Sequence, residues 1–280
     1  MTTLQNFSAR RRAFNALHAS GCFVIPNPWD AGGARYLQSL GFQAIATTSS
    51  GAAWRSARAD GTQSREATLA HIREIVAATD LPVNADFESG FARDAAGVAQ
   101  SVRLAIETGV AGLSIEDSTG DDAQPLRDIA SAVERIRAAR AAIDDAGGET
   151  LLVGRAENFV VGRPDLEDAI RRLRAYARAG ADCLYAPGIR TREEIVAVVT
   201  AVAPKPVNLL LGWVSDLSLD EIAALGVRRV SVGGALARAA WGGFMRAAHG
   251  LAQGRFDGLA GAVSGSELNA LFRQHGADAP

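Results

Sequence analysis

The chain has 280 residues, 48% of them apolar, and a mean hydropathy of +0.05, which is enough to bury one large core or two modest ones. Its 29 basic and 31 acidic residues leave a net charge of −2, which excludes the basic surface that holds nucleic acid or an acidic membrane. Of the basic residues 28 are Arg and one is Lys, at position 205, so chemistry that needs a lysine can use only that one.

Cys22 and Cys183 are too few for a disulfide framework and show no CxxC spacing, so a reduced, cytoplasmic compartment is expected. The N-terminal stretch MTTLQNFSARRRAF carries no apolar signal region, and no segment approaches the ~20 apolar residues of a membrane span. A soluble, unprocessed chain is the expectation.

Short apolar runs alternate with helical patterns along the chain. They are CFVIP (22–26), QAIATT (43–48), PVNADF (82–87), AGLSIED (111–117), LLVGRA (151–156), DCLYAP (182–187), PVNLLL (206–211) and RRVSVG (228–233). Between them apolar residues recur every three or four positions, as in Ile129, Val133, Ile136 and Ala139. Strands joined by helices make a parallel sheet, and eight such units in about 250 residues predict a (β/α)8 TIM barrel. A doubly wound open sheet is the alternative, but it has fewer strands as a rule, and no GxGxxG follows the first run. Gly41, Gly109, Gly180 and Gly226 stand just before strands, where a helix ends in a left-handed residue. No linker splits the chain, so residues 1–280 read as one domain. Residues 235–280 exceed one barrel helix and predict a C-terminal helical extension that covers the barrel or joins subunits.

Catalytic groups of such a barrel gather at the C-terminal strand ends. There stand Asn27 to Asp30 after the first run and Thr48, Ser49 and Ser50 after the second. Asp86 and Glu88 follow at the third and Glu116 with Asp117 at the fourth. Arg155, Glu157 and Asn158 end the fifth, Asn208 lies in the seventh, and Gly233-Gly234 follow the eighth. Crowded carboxylates repel unless a cation neutralises them, and hard oxygen ligands without histidine suit Mg²⁺ or Mn²⁺. Asp86, Glu88 and Glu116 are therefore the metal candidates; the competing reading pairs them with Arg155 or makes them helix caps. The small, polar TTSSGAA turn suits a substrate carboxylate. Gly233-Gly234 either bring amides to an anion or simply turn the chain.

Other classes lose their residues. His18, His71 and His249 fall in helical stretches and His275 in the tail, away from strand ends, against a zinc site or a histidine base. Cys22 and Cys183 read as small apolar residues without an activating neighbour. Lys205 precedes the seventh strand, at the wrong end for a Schiff base.

The combination NPWDAGGARYLQSLGF, ATTSSGAA with ADG downstream, PVNADFESGF, AGLSIEDS, GRAENF and PVNLLL resembles the isocitrate lyase / phosphoenolpyruvate mutase superfamily over about residues 20 to 250. The resemblance implies a Mg²⁺-dependent barrel that makes or breaks C–C or P–C bonds beside an oxo-acid carboxylate through an enolate-type intermediate. By position it implies metal binding at Asp86, Glu88 and Glu116, partly through waters, and a closing-loop role for Asp60. It further implies carboxylate binding at Thr48, Ser49 and Ser50, an oxo-acid clamp at Arg155 and neighbouring polar roles for Glu157 and Asn208. Many members have Asp where Glu88 stands. The family also exchanges its last helix between paired subunits, which implies a homotetramer built as a dimer of dimers.

One segment departs from the family. Isocitrate and methylisocitrate lyases carry a Lys-Lys-Cys-Gly-His loop after the fourth strand; here the segment reads SIEDSTGDDAQPLRD. The mutases and phosphonopyruvate hydrolases place a lysine in that loop, and it too is missing. The expectation is a Mg²⁺-dependent lyase of oxaloacetate-decarboxylase type acting on a small 2-oxo dicarboxylate. The alternatives are P–C chemistry, methylisocitrate-lyase-like cleavage, and a silent 2-oxo acid binding protein.

Overall fold

The computed structural model describes residues 3–274; His275 and the end of the C-terminal extension lie outside them. Eight strands form one parallel sheet in the order β1-β8-β7-β6-β5-β4-β3-β2. They are β1 (Phe23–Ile25), β2 (Ile45–Ala46), β3 (Val83–Asp86), β4 (Gly112–Glu116), β5 (Leu151–Arg155), β6 (Cys183–Tyr185), β7 (Val207–Leu210) and β8 (Arg229–Ser231). β1 and β2 approach through one bond, Ala46 N to Pro26 O at 3.0 Å, which brings the sheet round into a barrel. Every apolar run of the sequence contains one strand, shorter than the run because the flanking residues turn into loops.

The helices are α1 (Thr3–Leu17), α2 (Ala31–Ser39), α3 (Ser49–Arg55), α4 (Arg65–Ala78), α5 (Ala95–Glu107), α6 (Ile129–Asp145), α7 (Leu166–Arg178), α8 (Arg192–Val202), α9 (Leu219–Ala224), α10 (Ala235–Ala252) and α11 (Gly265–Gln274). Helices α2 to α9 each start on Asp, Ser or Thr (Asp30, Thr48, Ser64, Asp94, Asp128, Asp165, Thr191, Ser218), whose side chain accepts an amide of the first turn. Gly41, Gly109, Gly180 and Gly226 all have positive φ, from 82° to 108°, as their places before strands require.

Apolar side chains collect on both sides of the barrel wall. Outside, Ile72, Ile75, Leu113, Ile136, Leu173 and Leu209 are among those sealing helices onto strands. Inside, Phe23, Ile25, Ala46, Val153, Cys183 and Tyr185 fill the barrel, and Phe14 of α1 stops its lower end. His18, just past α1, packs edge-on against Phe14 and Phe23, with ring centroids at 4.7 and 5.2 Å. It is a core residue, held neutral by burial, with a pKa lowered to about 3. His71 hydrogen-bonds Trp29 O at 3.0 Å. Cys22 is half-buried against the outer core and Cys183 is buried inside the barrel. Lys205 lies between α8 and β7, at the end of the barrel opposite the strand C-termini.

After α10 the chain leaves the barrel surface. Residues 251–270 are exposed throughout, Phe256 to 71%, and α11 returns to α2, where Phe272 lies over Gly32. No described helix is long and apolar enough to cross a membrane.

Candidate active site

The upper end of the barrel holds an arginine surrounded by carboxylates. β4 and β5 pair Glu116 with Arg155 in register, and β3 brings Asp86 alongside. Arg155 Nη1 lies 3.1 Å from Asp86 Oδ1 and 3.1 Å from Glu116 Oε2; Nη2 lies 3.1 Å from Glu157 Oε2, and Nε also donates to Glu157. Asp86 is held further by Ser49 N, 3.0 Å from Oδ2, while its own amide donates to Thr47 Oγ1 at 2.9 Å. Ser118 Oγ donates to Glu116 Oε1 at 2.5 Å. Glu88, at φ +47°, accepts Glu116 N on its backbone oxygen at 3.0 Å and turns its side chain to the outer part of the mouth.

Negative charge exceeds positive here. Burial first, then the neighbouring carboxylates Asp86, Glu116 and Asp60, push Glu88 up to about 8. Glu157 is also raised to about 8, because burial outweighs the help of Arg155. Burial raises Glu116, and burial followed by Asp86 raises Asp60. The surrounding carboxylates hold Arg155 firmly protonated.

Outside this layer, towards α7, lies a second set of charges. Buried Asp117 accepts Glu157 N at 2.9 Å on Oδ1, and Arg172 Nη1 at 3.0 Å and Tyr176 Oη at 2.6 Å on Oδ2. It thereby fixes where the end of β5 places Arg155 and Glu157.

A cavity of about 190 Å³ runs down from the mouth, lined by Ser49, Ser50, Asp60, Asp86, Arg155 and Tyr185, with Arg229 deeper. That is below the ~300–1,000 Å³ of sites for drug-sized ligands and suits a compound of a few heavy atoms. A wider space of about 390 Å³ adjoins it, lined by Glu88, Glu116, Glu157 and residues 118–125. Residues 118–126 form a small hairpin, with a Ser118–Leu126 bridge and Thr119 N bonded to Pro125 O at 3.0 Å.

The structure brings most of the expected residues together. Thr48 caps α3, Ser49 and Ser50 open it, and all three line the cavity; Asp60 stands on an exposed loop at its rim. Asn208 lies in the wall, but its amide is engaged, donating to Ser231 Oγ at 2.9 Å and accepting from Arg229 Nε at 2.8 Å. Among the described residues no three Asp, Glu, His or Cys side chains close on one point, because Arg155 stands between Asp86 and Glu116. Gly233-Gly234 form a turn: the Val232 and Gly233 amides are taken by Asn27 Oδ1, at 3.0 and 2.9 Å, and a Cβ on Gly234 would lie 2.6 Å from Ser50 Oγ. Sequence reasoning missed Thr47, Tyr185, Ser231 and Arg229. Their alternation along strands already pointed to one face, but the face became known only with the register.

The fold and this site define a (β/α)8 barrel with an arginine ringed by carboxylates at its mouth. The chain belongs to the phosphoenolpyruvate phosphomutase family, whose model matches residues 14–252, within the isocitrate lyase / phosphoenolpyruvate mutase superfamily. It is 30% identical over 231 residues to oxaloacetate decarboxylase of Paraburkholderia xenovorans LB400, covering 79% of this chain and 74% of that one. A solved chain of Burkholderia cenocepacia J2315, described provisionally as a lyase/mutase, is 49% identical with a TM-score of 0.93, over 96% of this chain and 98% of that one. Phosphonopyruvate hydrolase, solved with oxalate and Mg²⁺, is 27% identical with a TM-score of 0.83, over 95% of each chain. Relatives in this superfamily include lyases and mutases, which supports an enzymatic role.

Proposed function

We propose that this enzyme is a Mg²⁺-dependent carbon–carbon lyase for a small 2-oxo dicarboxylate, of the oxaloacetate-decarboxylase type. The observation that carries the reading is Arg155, a fully charged two-pronged donor at the top of a cavity sized for a four-carbon acid, set among more carboxylates than it can neutralise. That excess, and a donor set of hard oxygens without histidine, fit Mg²⁺ or Mn²⁺ held by Asp86, Glu116 and Glu88 through intervening waters. When bound, the ion supplies Lewis-acid stabilisation of negative charge developing on a carbonyl oxygen.

The residues of the chain do the rest. Arg155 and the Ser49–Ser50 turn bind the carboxylate next to the carbonyl, with Thr48 shaping the turn and Asp60 closing over it. Asp117 keeps Glu157 in place, and Glu157 keeps the planar guanidinium aimed. With that end fixed, the distal carboxylate leaves as CO2 and its electron pair passes into an enolate. The bare 118–126 hairpin supplies no lysine, cysteine or histidine, which favours decarboxylation because it asks least of that loop.

Purified protein given oxaloacetate, with and without EDTA, tests the reading: metal-dependent loss of oxaloacetate above background supports it, and its absence sinks it. Phosphorus NMR of a phosphonopyruvate incubation distinguishes P–C chemistry, which the family name and the hydrolase relative keep as the second reading. We also propose a homo-oligomer, a dimer of dimers, supported by Trp241, Phe244, Met245 and Phe256 left exposed on and after α10. Light scattering that returned a monomer at working concentration would refute this assembly.

A further inference from the structure

Decarboxylation leaves an enolate that must gain a proton at carbon, and no lyase cysteine is present at the mouth to give it. Two inward side chains otherwise have no assigned work. Tyr185, at the end of β6, lines the cavity directly below Arg155, whose guanidinium carbon is 5.3 Å from the ring centroid. Arg229 of β8 is 3% exposed and lines the same cavity, and among the described residues no carboxylate pairs with it. Its guanidinium is met by neutral groups, Asn208 Oδ1 at 2.8 Å and Asn84 Oδ1 and His18 Nε2 at 3.4 Å, so a negative charge forming beside it would gain a buried cation as partner.

The strand register joins them. Arg155 pairs with Tyr185, Tyr185 with Asn208, and Asn208 with Arg229, in one row across β5 to β8. Along that row the hydrogen bonds run one way. Arg229 Nε donates to Asn208 Oδ1 at 2.8 Å, and Asn208 Nδ2 donates to Ser231 Oγ at 2.9 Å. Ser231 therefore keeps its own hydrogen to give, and its hydroxyl eases the Tyr185 phenol toward ionisation. Tyr185, Ser231 and Arg229 all line the cavity, and among the described residues the phenol donates no hydrogen bond, so its O–H is free to face the cavity.

We infer that Tyr185 is the proton donor of the reaction, and that Arg229, acting through Asn208 and Ser231, stabilises the phenolate left behind. This rests on the decarboxylase reading. Carbon 3 of the enolate takes the Tyr185 hydroxyl proton; the C–H bond forms as the O–H bond breaks, the carbonyl is restored, and the electron pair stays on the phenolate oxygen. Water entering from the mouth returns the proton. Burial pushes the phenol up to about 12, so it carries its proton at neutral pH. The phenolate, once formed, would interact favourably with both Arg155 and Arg229.

The test is turnover of oxaloacetate and of 3-methyloxaloacetate in D2O by the wild type, Tyr185→Phe and Arg229→Gln. The 2-oxobutyrate formed from the methylated substrate is trapped by lactate dehydrogenase and its C3 configuration read by proton NMR. Wild type should place deuterium on one face. Tyr185→Phe should give racemic deuteration and lose about 10²–10⁴-fold in kcat, the usual contribution of a general acid. Its oxalate affinity should stay unchanged, showing an intact Arg155 site. Arg229→Gln should lower kcat in the same direction, less steeply, with deuteration still on one face. Single-face deuteration by Tyr185→Phe, or a kcat within twofold of wild type, overturns the assignment while leaving the decarboxylase reading intact. If wild type releases no CO2 from either substrate, both fall.

Discussion

Replacing Arg155 by Met removes the only cation among the described residues in contact with Asp86, Glu116 and Glu157 while keeping a side chain of similar reach. Breaking a buried ion pair from one side costs about 3–5 kcal/mol, because the remaining charge is left without a partner. Here the carboxylates can escape part of that cost by taking up protons. Glu157 and Glu88 already sit at about 8 in the folded protein against an ordinary 4.5, and Glu116 is raised as well. A folded pKa above the unfolded one gives stability that is complete below the unfolded value and is lost as pH rises through the folded one. Wild type should therefore lose stability between about pH 4.5 and 8 through these groups. Without Arg155 their pKa values climb further, so the loss extends to higher pH. At about 2.1 cal/mol/K per residue, 3–5 kcal/mol in this chain is roughly 5–9 °C in Tm. Melts of both proteins at pH 6 and pH 9 should show the full deficit at pH 9 and a smaller one at pH 6. An equal deficit at both, or none, would refute the electrostatic account of this site.

Three further outcomes follow from the same geometry. Tyr176→Phe removes the 2.6 Å bond to Asp117, which should cost about 1–3 kcal/mol in urea unfolding and lower kcat more than it raises KM, since Asp117 also anchors Glu157; kinetics with unchanged kcat would separate the two layers. Gly51→Ala puts a Cβ 2.7 Å from Thr48 Cγ2 and 2.8 Å from Trp29 Cβ, so about 1–3 kcal/mol of strain and weaker oxalate binding are expected by calorimetry. Because Glu88, raised to about 8, holds a proton that a cation must displace, Mg²⁺ affinity should rise with pH up to about 8, and calorimetry at pH 7 in buffers of different ionisation enthalpy should detect proton release; binding without proton release would count against Glu88 as a ligand.

The barrel was legible because its signal is repeated and local. Each strand is a short apolar run closed by a polar residue, each helix from α2 to α9 opens on a capping side chain, and the glycines before strands have the positive φ their places required. The strand ends also announced Asp86, Glu116 and Arg155. What sequence could not give was which of them touch. Whether Asp86 and Glu116 face a cation or Arg155 depends on a register between β3, β4 and β5 that no local pattern encodes. The same holds for Asp117, which sits next to Glu116 in sequence but points outward to Arg172 and Tyr176 of α7, because neighbours on a strand face opposite ways. Tyr185 and Arg229 resemble ordinary core positions until four strands are set side by side.

The position of the lone lysine has a practical side. Lys205 stands between α8 and β7, at the opposite end of the barrel from Arg155. Amine-directed coupling, apart from the α-amino group, therefore has a single side chain to attack. A molecule immobilised or labelled through it would present its open mouth away from the support, ready for ligand measurements on a uniformly oriented surface.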